Sequence, residues 1–157
     1  MNEAFRQGMA AVPHLAATGI TFESVDDGRA VMSLAYREDL VGFADSGVLA
    51  GGIIYTLMDT VSGAAVFAAL KTYRPIATLD LRIDYLRPAT PHQTVYGRAE
   101  VIKLTHHIAF VRGTADHGDP QDPIAHVTGT FALKGGAPTP PPGPQGPGGQ
   151  GTEPAHG

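Results

Sequence analysis

Apolar and polar positions alternate along much of this chain, and one long stretch breaks the pattern. From Gly47 to Leu70 the sequence GVLAGGIIYTLMDTVSGAAVFAAL is apolar almost throughout, with Asp59 as its one ionisable residue and a Gly51-Gly52 pair near its front. The run predicts a helix from about Gly51 to Leu70, roughly 30 Å long at 1.5 Å per residue. Ile54, Leu57, Met58, Val61, Ala65 and Ala68 form a continuous stripe, which Ile53, Ala64 and Phe67 widen. A helix apolar on nearly every side has to be covered on nearly every side.

The flanking segments repeat with period two and so read as strands. Ile20 to Val25 and Arg29 to Tyr36 are separated by Asp26-Asp27-Gly28, a hairpin signal. The second of them places Ala30, Met32, Leu34 and Tyr36 on one face. Beyond Pro75, Ile76 to Leu86 alternates cleanly, with Leu79, Leu81, Ile83 and Tyr85 expected inward and Thr78, Asp80, Arg82 and Asp84 on the other face. Gln93 to Leu104, Ile108 to Ala115 and Ile124 to Leu133 follow, each joined to the next by a short turn, which favours antiparallel pairing.

The remaining segments are irregular or short. Residues 2–11 predict a short amphipathic helix capped by Asn2 and ended by Pro13, and Arg37 to Val48 a loop rich in Gly, Asp and Ser. From Gly135 onward the chain is almost all Gly, Pro, Gln, Thr and Ala, a composition expected to stay disordered. The expected architecture is α+β: one domain over 1–134, in which a curved antiparallel sheet wraps one long central helix, followed by a tail over 135–157.

Charge and composition narrow the function classes. Fifteen acidic against 11 basic residues give a net charge of −4, with no Lys/Arg block, which argues against a nucleic-acid partner. The chain has no cysteine, so disulfides, thiolate metal sites and cysteine nucleophiles are excluded. The N-terminal stretch lacks the basic start and apolar core of a secretory signal. Val48 to Leu70 is long enough to span a bilayer, but Asp59 near its middle would cost roughly 2.5–3.5 kcal/mol there. The strands around it also need an apolar partner. The expectation is a cytoplasmic protein without a membrane segment.

The helix front Ala50-Gly51-Gly52-Ile53-Ile54-Tyr55-Thr56-Leu57-Met58-Asp59 and the strand Thr78-Leu79-Asp80-Leu81-Arg82-Ile83-Asp84-Tyr85-Leu86-Arg87-Pro88-Ala89 together carry a resemblance. They are similar to the hotdog-fold acyl-CoA thioesterases, in particular the phenylacetate-degradation (PaaI-type) branch, over roughly residues 10–133. Members typically have His-Gly-Gly at the helix start, an Asp at the position of Asp59, and a Tyr/Phe-x-x-Pro turn. Ala50 stands here at the place of that His, and Ala44 near the place of an Asn common in the family, with Asp45 or Ser46 as neighbouring candidates for its role.

The resemblance implies that Asp59 is the catalytic carboxylate, as general base on water or as nucleophile. It implies that Gly51 N–H polarises the thioester carbonyl and that Thr78, contributed from the other subunit of a dimer, helps hold the water. Ala50 and Gly52 would flank the substrate, and Arg82 and Arg87 would meet coenzyme A phosphates. Coenzyme A enters as part of the acyl-CoA substrate, and no cofactor is implied. The subunit is expected to dimerise through the Ile76–Leu86 strand; tetramers are common in the family.

Each residue also has a plainer reading. Gly51-Gly52 can simply let a helix start close to a strand. Asp59 can pair with Arg82 or Arg87 or face a subunit interface, because a bare buried carboxylate costs several kcal/mol. A Thr at 78 is ordinary in a strand, and the arginines can be solvated surface charges. The seven histidines show no metal-ligand spacing, and no Gly-x-Ser-x-Gly elbow is present. Two rival functions remain: a non-catalytic acyl-CoA-binding or assembly module of the same fold, and a hotdog hydratase, which needs a His that the central helix lacks.

Overall fold

In a computed structural model that describes residues 12–70, 72 and 74–134, Pro13 starts a helix. Helix α1 (Pro13–Thr18) has Pro at its first turn, where a fixed φ and a missing N–H suit an N-terminus, and it closes on Gly19 in the left-handed region at φ 75°. The expected helix over 2–11 and the tail from Gly135 lie outside the described residues.

Strands β1 (Ile20–Asp26) and β2 (Arg29–Leu34) form the expected hairpin. Asp27 and Gly28 both take positive φ, 35° and 78°, the twist that a two-residue hairpin turn needs. Ala30, Met32 and Leu34 face the core and are buried. At roughly 1.5–3 kcal/mol for each fully buried large aliphatic side chain, this face anchors the strand.

The stretch expected to be a loop is more ordered than its sequence suggests. A 3-10 turn at Glu38–Leu40 leads into a second small sheet, β3 (Val41–Phe43) paired with β4 (Val48–Leu49). Strands this short leave no readable alternation. Their turn is held by Ser46, whose hydroxyl donates to Phe43 O and accepts from Val48 N–H.

Helix α2 (Gly51–Ala69) is the apolar run. By length and composition it could cross a membrane, but it packs as the core helix of the sheet, with Ile53, Ile54, Leu57, Met58, Val61, Ala64, Ala65 and Val66 buried. The strands that follow are β5 (Ile76–Tyr85), β6 (Val95–Leu104), β7 (Ile108–Asp116) and β8 (Ala125–Leu133). They join the first hairpin in one antiparallel sheet of order β1-β2-β6-β7-β8-β5. β5 therefore skips its successor β6 and takes the sheet edge beside β8.

One irregularity in β5 corrects the expected alternation. Thr78 pairs with Phe131 and Asp80 with Thr130, which leaves Leu79 as the extra residue of a bulge. Phe131 is buried, so its partner Thr78 also faces the helix, as do Leu81, Ile83 and Tyr85. Leu79, expected inward, is 58% exposed. An inserted residue shifts the period-two pattern by one, and the sequence carries no mark of it.

Candidate active site

The site lies where β5 runs alongside α2. Thr78 Oγ1 donates to Asp59 Oδ1 at 3.0 Å, Tyr55 Oη to Leu81 O at 3.0 Å, and Tyr85 Oη to Gly51 O at 2.6 Å. These bonds fasten the edge strand to the helix along much of its length. Thr78 bonds the Asp59 of its own chain, because the bulge at Leu79 turns its hydroxyl toward α2.

Asp59 is half-buried, and among the described residues its hydrogen-bond partner is Thr78 rather than an arginine. Arg82 faces away from the helix and bonds Asp84 at 2.9 Å, while Arg87 reaches Asp122 at 2.7 Å. The expected ion pair of Asp59 with Arg82 or Arg87 does not form, and the Asp59 Oδ2 side is left for another donor.

At the helix start, Ala50 is the N-cap residue and offers no side-chain cap. Its own N–H donates to Leu40 O at 2.9 Å, so the 3-10 turn ahead of β3 fixes the entry of the chain into the helix. Among the described residues neither Gly51 nor Gly52 N–H has a partner in the structure, as expected for the first turn of a helix without a side-chain cap. A Cβ on Gly51 would sit 3.3 Å from Tyr85 Oη and 3.4 Å from its Cζ, whereas one on Gly52 would meet nothing within 4 Å. The first glycine makes room for a tyrosine; the second opens onto free space. Donors with no partner and a positive dipole end make this a place for developing negative charge.

A cleft of about 430 Å³ adjoins these donors, lined by Gly51, Ile54, Tyr85, Leu86, Arg87 and Ile124 among others. Its outer wall is the 86–94 loop, which His117 ties down: Nε2 accepts from Thr90 N–H at 2.9 Å, and Nδ1 lies 2.8 Å from Thr94 O. Burial, and to a lesser extent the neighbouring Tyr55, holds the Tyr85 phenol above the usual tyrosine range.

Of the residues expected at the site, the structure unites Asp59 with Thr78 and places Ala50, Gly51 and Gly52 together at the helix start. Arg87 lines the cleft, but Arg82 does not, being turned outward on β5. Asp45 and Ser46 sit at the exposed tip of the β3–β4 hairpin, with Ser46 engaged in its turn. Tyr85 and His117 were missed as site residues. Tyr85 belongs to the Tyr-x-x-Pro segment, a motif of the family resemblance to which no site role was attached.

A model of the thioesterase superfamily matches residues 46–124, from the β3–β4 turn through the cleft wall and the end of the β7–β8 loop. The chain belongs to the thioesterase superfamily, and its sheet wrapped around one helix is the hotdog fold of PaaI-type members. A crystal structure of a Pseudomonas aeruginosa protein shares 42% identity with a TM-score of 0.73, covering 81% of this chain and 94% of that one. A thioesterase family protein from Silicibacter pomeroyi shares 25% identity with a TM-score of 0.73, covering 82% and 93%. The phenylacetic acid degradation protein PaaI of Thermus thermophilus, solved as a mutant, shares 27% identity with a TM-score of 0.67, covering 76% and 97%. A Halobacterium salinarum protein named as an esterase is 38% identical over 78 residues, 48% of this chain and 52% of that protein. The chain thus spans about half the length of the curated relative it matches.

Proposed function

We propose that the protein hydrolyses acyl-CoA thioesters to the free acid and coenzyme A. The observation that carries this reading is the Thr78–Asp59 pair: a half-buried carboxylate met by a hydroxyl instead of by a cation. A carboxylate bonded by a single hydroxyl keeps acceptor lone pairs open toward a water molecule, which a bidentate arginine partner would occupy.

In the reaction, water attacks the thioester carbonyl carbon while Asp59 takes its proton. The Thr78 hydroxyl donates to Asp59 and accepts from the same water, so it orients the attack. Charge gathers on the carbonyl oxygen and is held by Gly51 N–H at a helix N-terminus, the kind of donor whose loss costs roughly 10²–10³ in rate. Collapse of the intermediate breaks the C–S bond, and the thiolate leaves with the proton that Asp59 holds. No metal or prosthetic group is required by these steps.

Geometry argues that two subunits build each site. Positions 51 and 59 are about 12 Å apart along one helix axis, whereas a single carbonyl must sit within about 3 Å of both its donor and its attacking water. β5 is an edge strand with an unpaired backbone and exposed Leu79. Antiparallel pairing of two such edges about a two-fold axis sets two α2 helices antiparallel. That arrangement brings Gly51 of one subunit toward Asp59 of the partner subunit. Arg87, on the cleft wall, is the cation best placed for coenzyme A phosphates.

The test is thiol release from a panel of acyl-CoAs, spanning short, long and aromatic acyl groups, with wild type and Asp59→Asn. Hydrolysis by wild type that falls at least tenfold in the variant supports the reading. Binding of an acyl-CoA with no hydrolysis of any would replace it with the non-catalytic module.

A further inference from the structure

We propose that Tyr85 is a positioning residue for the oxyanion donors. Its phenol, bonded to the Gly51 carbonyl, polarises the Gly51–Gly52 peptide so that Gly52 N–H joins Gly51 N–H in holding the thioester oxygen. The inference rests on the thioesterase reading and adds to it a second donor and the side chain that tunes it.

The bond from Tyr85 Oη to Gly51 O is 2.6 Å, at the short end for a hydroxyl donor. A carbonyl and the N–H of the next residue belong to one conjugated peptide group. Drawing density toward the carbonyl oxygen therefore makes that N–H a better donor, the cooperative strengthening expected along hydrogen-bond chains in a low-dielectric site. The peptide in question ends in Gly52 N–H, which has no partner among the described residues; Gly51, at its other end, lines the cleft, and nothing lies within 4 Å of where a Gly52 Cβ would sit. Gly52 without a Cβ lets a substrate oxygen approach its backbone closely.

The tyrosine is itself held in place. Its ring packs on Gly51, where any Cβ would come within 3.3 Å of the hydroxyl. Tyr55 Oη, bonded to Leu81 O at 3.0 Å, pins the same strand further along. Burial keeps the phenol above the ordinary tyrosine range, so it remains a neutral donor at physiological pH. A bond from an aromatic hydroxyl to this carbonyl has no purpose in forming the helix, whose ladder already uses Gly51 O as an acceptor from Tyr55 N–H.

The experiment uses the full chain and the acyl-CoA that wild type turns over fastest in the panel. Tyr85→Phe keeps the ring and loses the hydroxyl. It is expected to lower kcat about five- to tenfold while KM changes less than twofold and the melting temperature stays within about 2 °C. Replacing Tyr85 by fluorinated tyrosines of increasing acidity, assayed where the phenol is protonated, should restore and then raise kcat in order of donor strength. That graded response is independent of whether the Phe variant folds well. An active wild type with unchanged kcat in Tyr85→Phe, or a flat fluorotyrosine series, overturns the role of Tyr85 alone. A wild type inert on the whole panel overturns the thioesterase reading and this inference with it.

Discussion

Thr78 on the sheet edge donates its hydroxyl to Asp59 in the middle of the central helix, at 3.0 Å, and a bulge at Leu79 is what aims it there. The bond joins the one acidic residue of α2 to the strand that the neighbouring subunit is proposed to cover. Thr78→Val should therefore lower kcat about tenfold, the size of one lost hydrogen bond to a charged group at roughly 1.5 kcal/mol. Thr78→Ser should retain most of the rate. Steady-state kinetics of the two variants decide the matter; full activity in Thr78→Val with a loss in Thr78→Ser would mean that the methyl group, not the hydroxyl, is what counts.

The edge of β5 offers a separate test of the shared site. Leu79 is 58% exposed at the bulge, and a charge there opposes edge pairing. Leu79→Glu is expected to shift the protein toward monomer in sedimentation at micromolar concentration, with activity falling in proportion to the dimer fraction. A fully active monomer would place both the donor and the carboxylate of each site within one chain.

Ser62 carries a cost that nothing among the described residues relieves. It is fully buried in α2, and its hydroxyl has no hydrogen-bond partner. An unsatisfied buried hydroxyl costs roughly 1–3 kcal/mol, and alanine is also the better helix former. Ser62→Ala should raise stability by about 1 kcal/mol in urea denaturation. A loss of stability would show that the hydroxyl is satisfied in the assembled protein.

Glu100 gives a pH dependence with a definite sign. Hydrogen bonding from Arg112 at 2.6 Å, helped by the charges of Arg112 and Arg29, holds its carboxyl below the usual glutamate range. A folded value below the unfolded one means that its stabilisation is complete above the unfolded value and is lost as pH falls through the folded one. The pair is on the surface, so the effect is about 0.5 kcal/mol. Glu100→Gln should flatten the acid side of the stability curve by that amount and leave stability near pH 8 lower by the same amount.

Much of the fold is legible from residue order. The Gly47–Leu70 run announces a covered helix, Asp27-Gly28 a hairpin, and the period-two segments an antiparallel sheet, because side-chain direction follows local geometry. Asp59 and the Gly51-Gly52 pair stand out for the same reason: a lone carboxylate and two glycines are conspicuous in an apolar helix. Pro13 shows the limit of such signals, since proline suits a helix start as well as an end.

Sequence by itself determined the central helix, the long strands of the main sheet and the candidate carboxylate. Tertiary structure alone decided that β5 lies at the edge beside β8, that a bulge at Leu79 turns Thr78 inward, and that Tyr85 bonds Gly51 O from 34 positions away. Those outcomes depend on long-range strand pairing and on one unpaired residue, neither of which leaves a periodic trace. Asp59 ends beside a threonine and not an arginine because Arg82 and Arg87 find Asp84 and Asp122, partners set by where the strands and the β7–β8 loop come to rest.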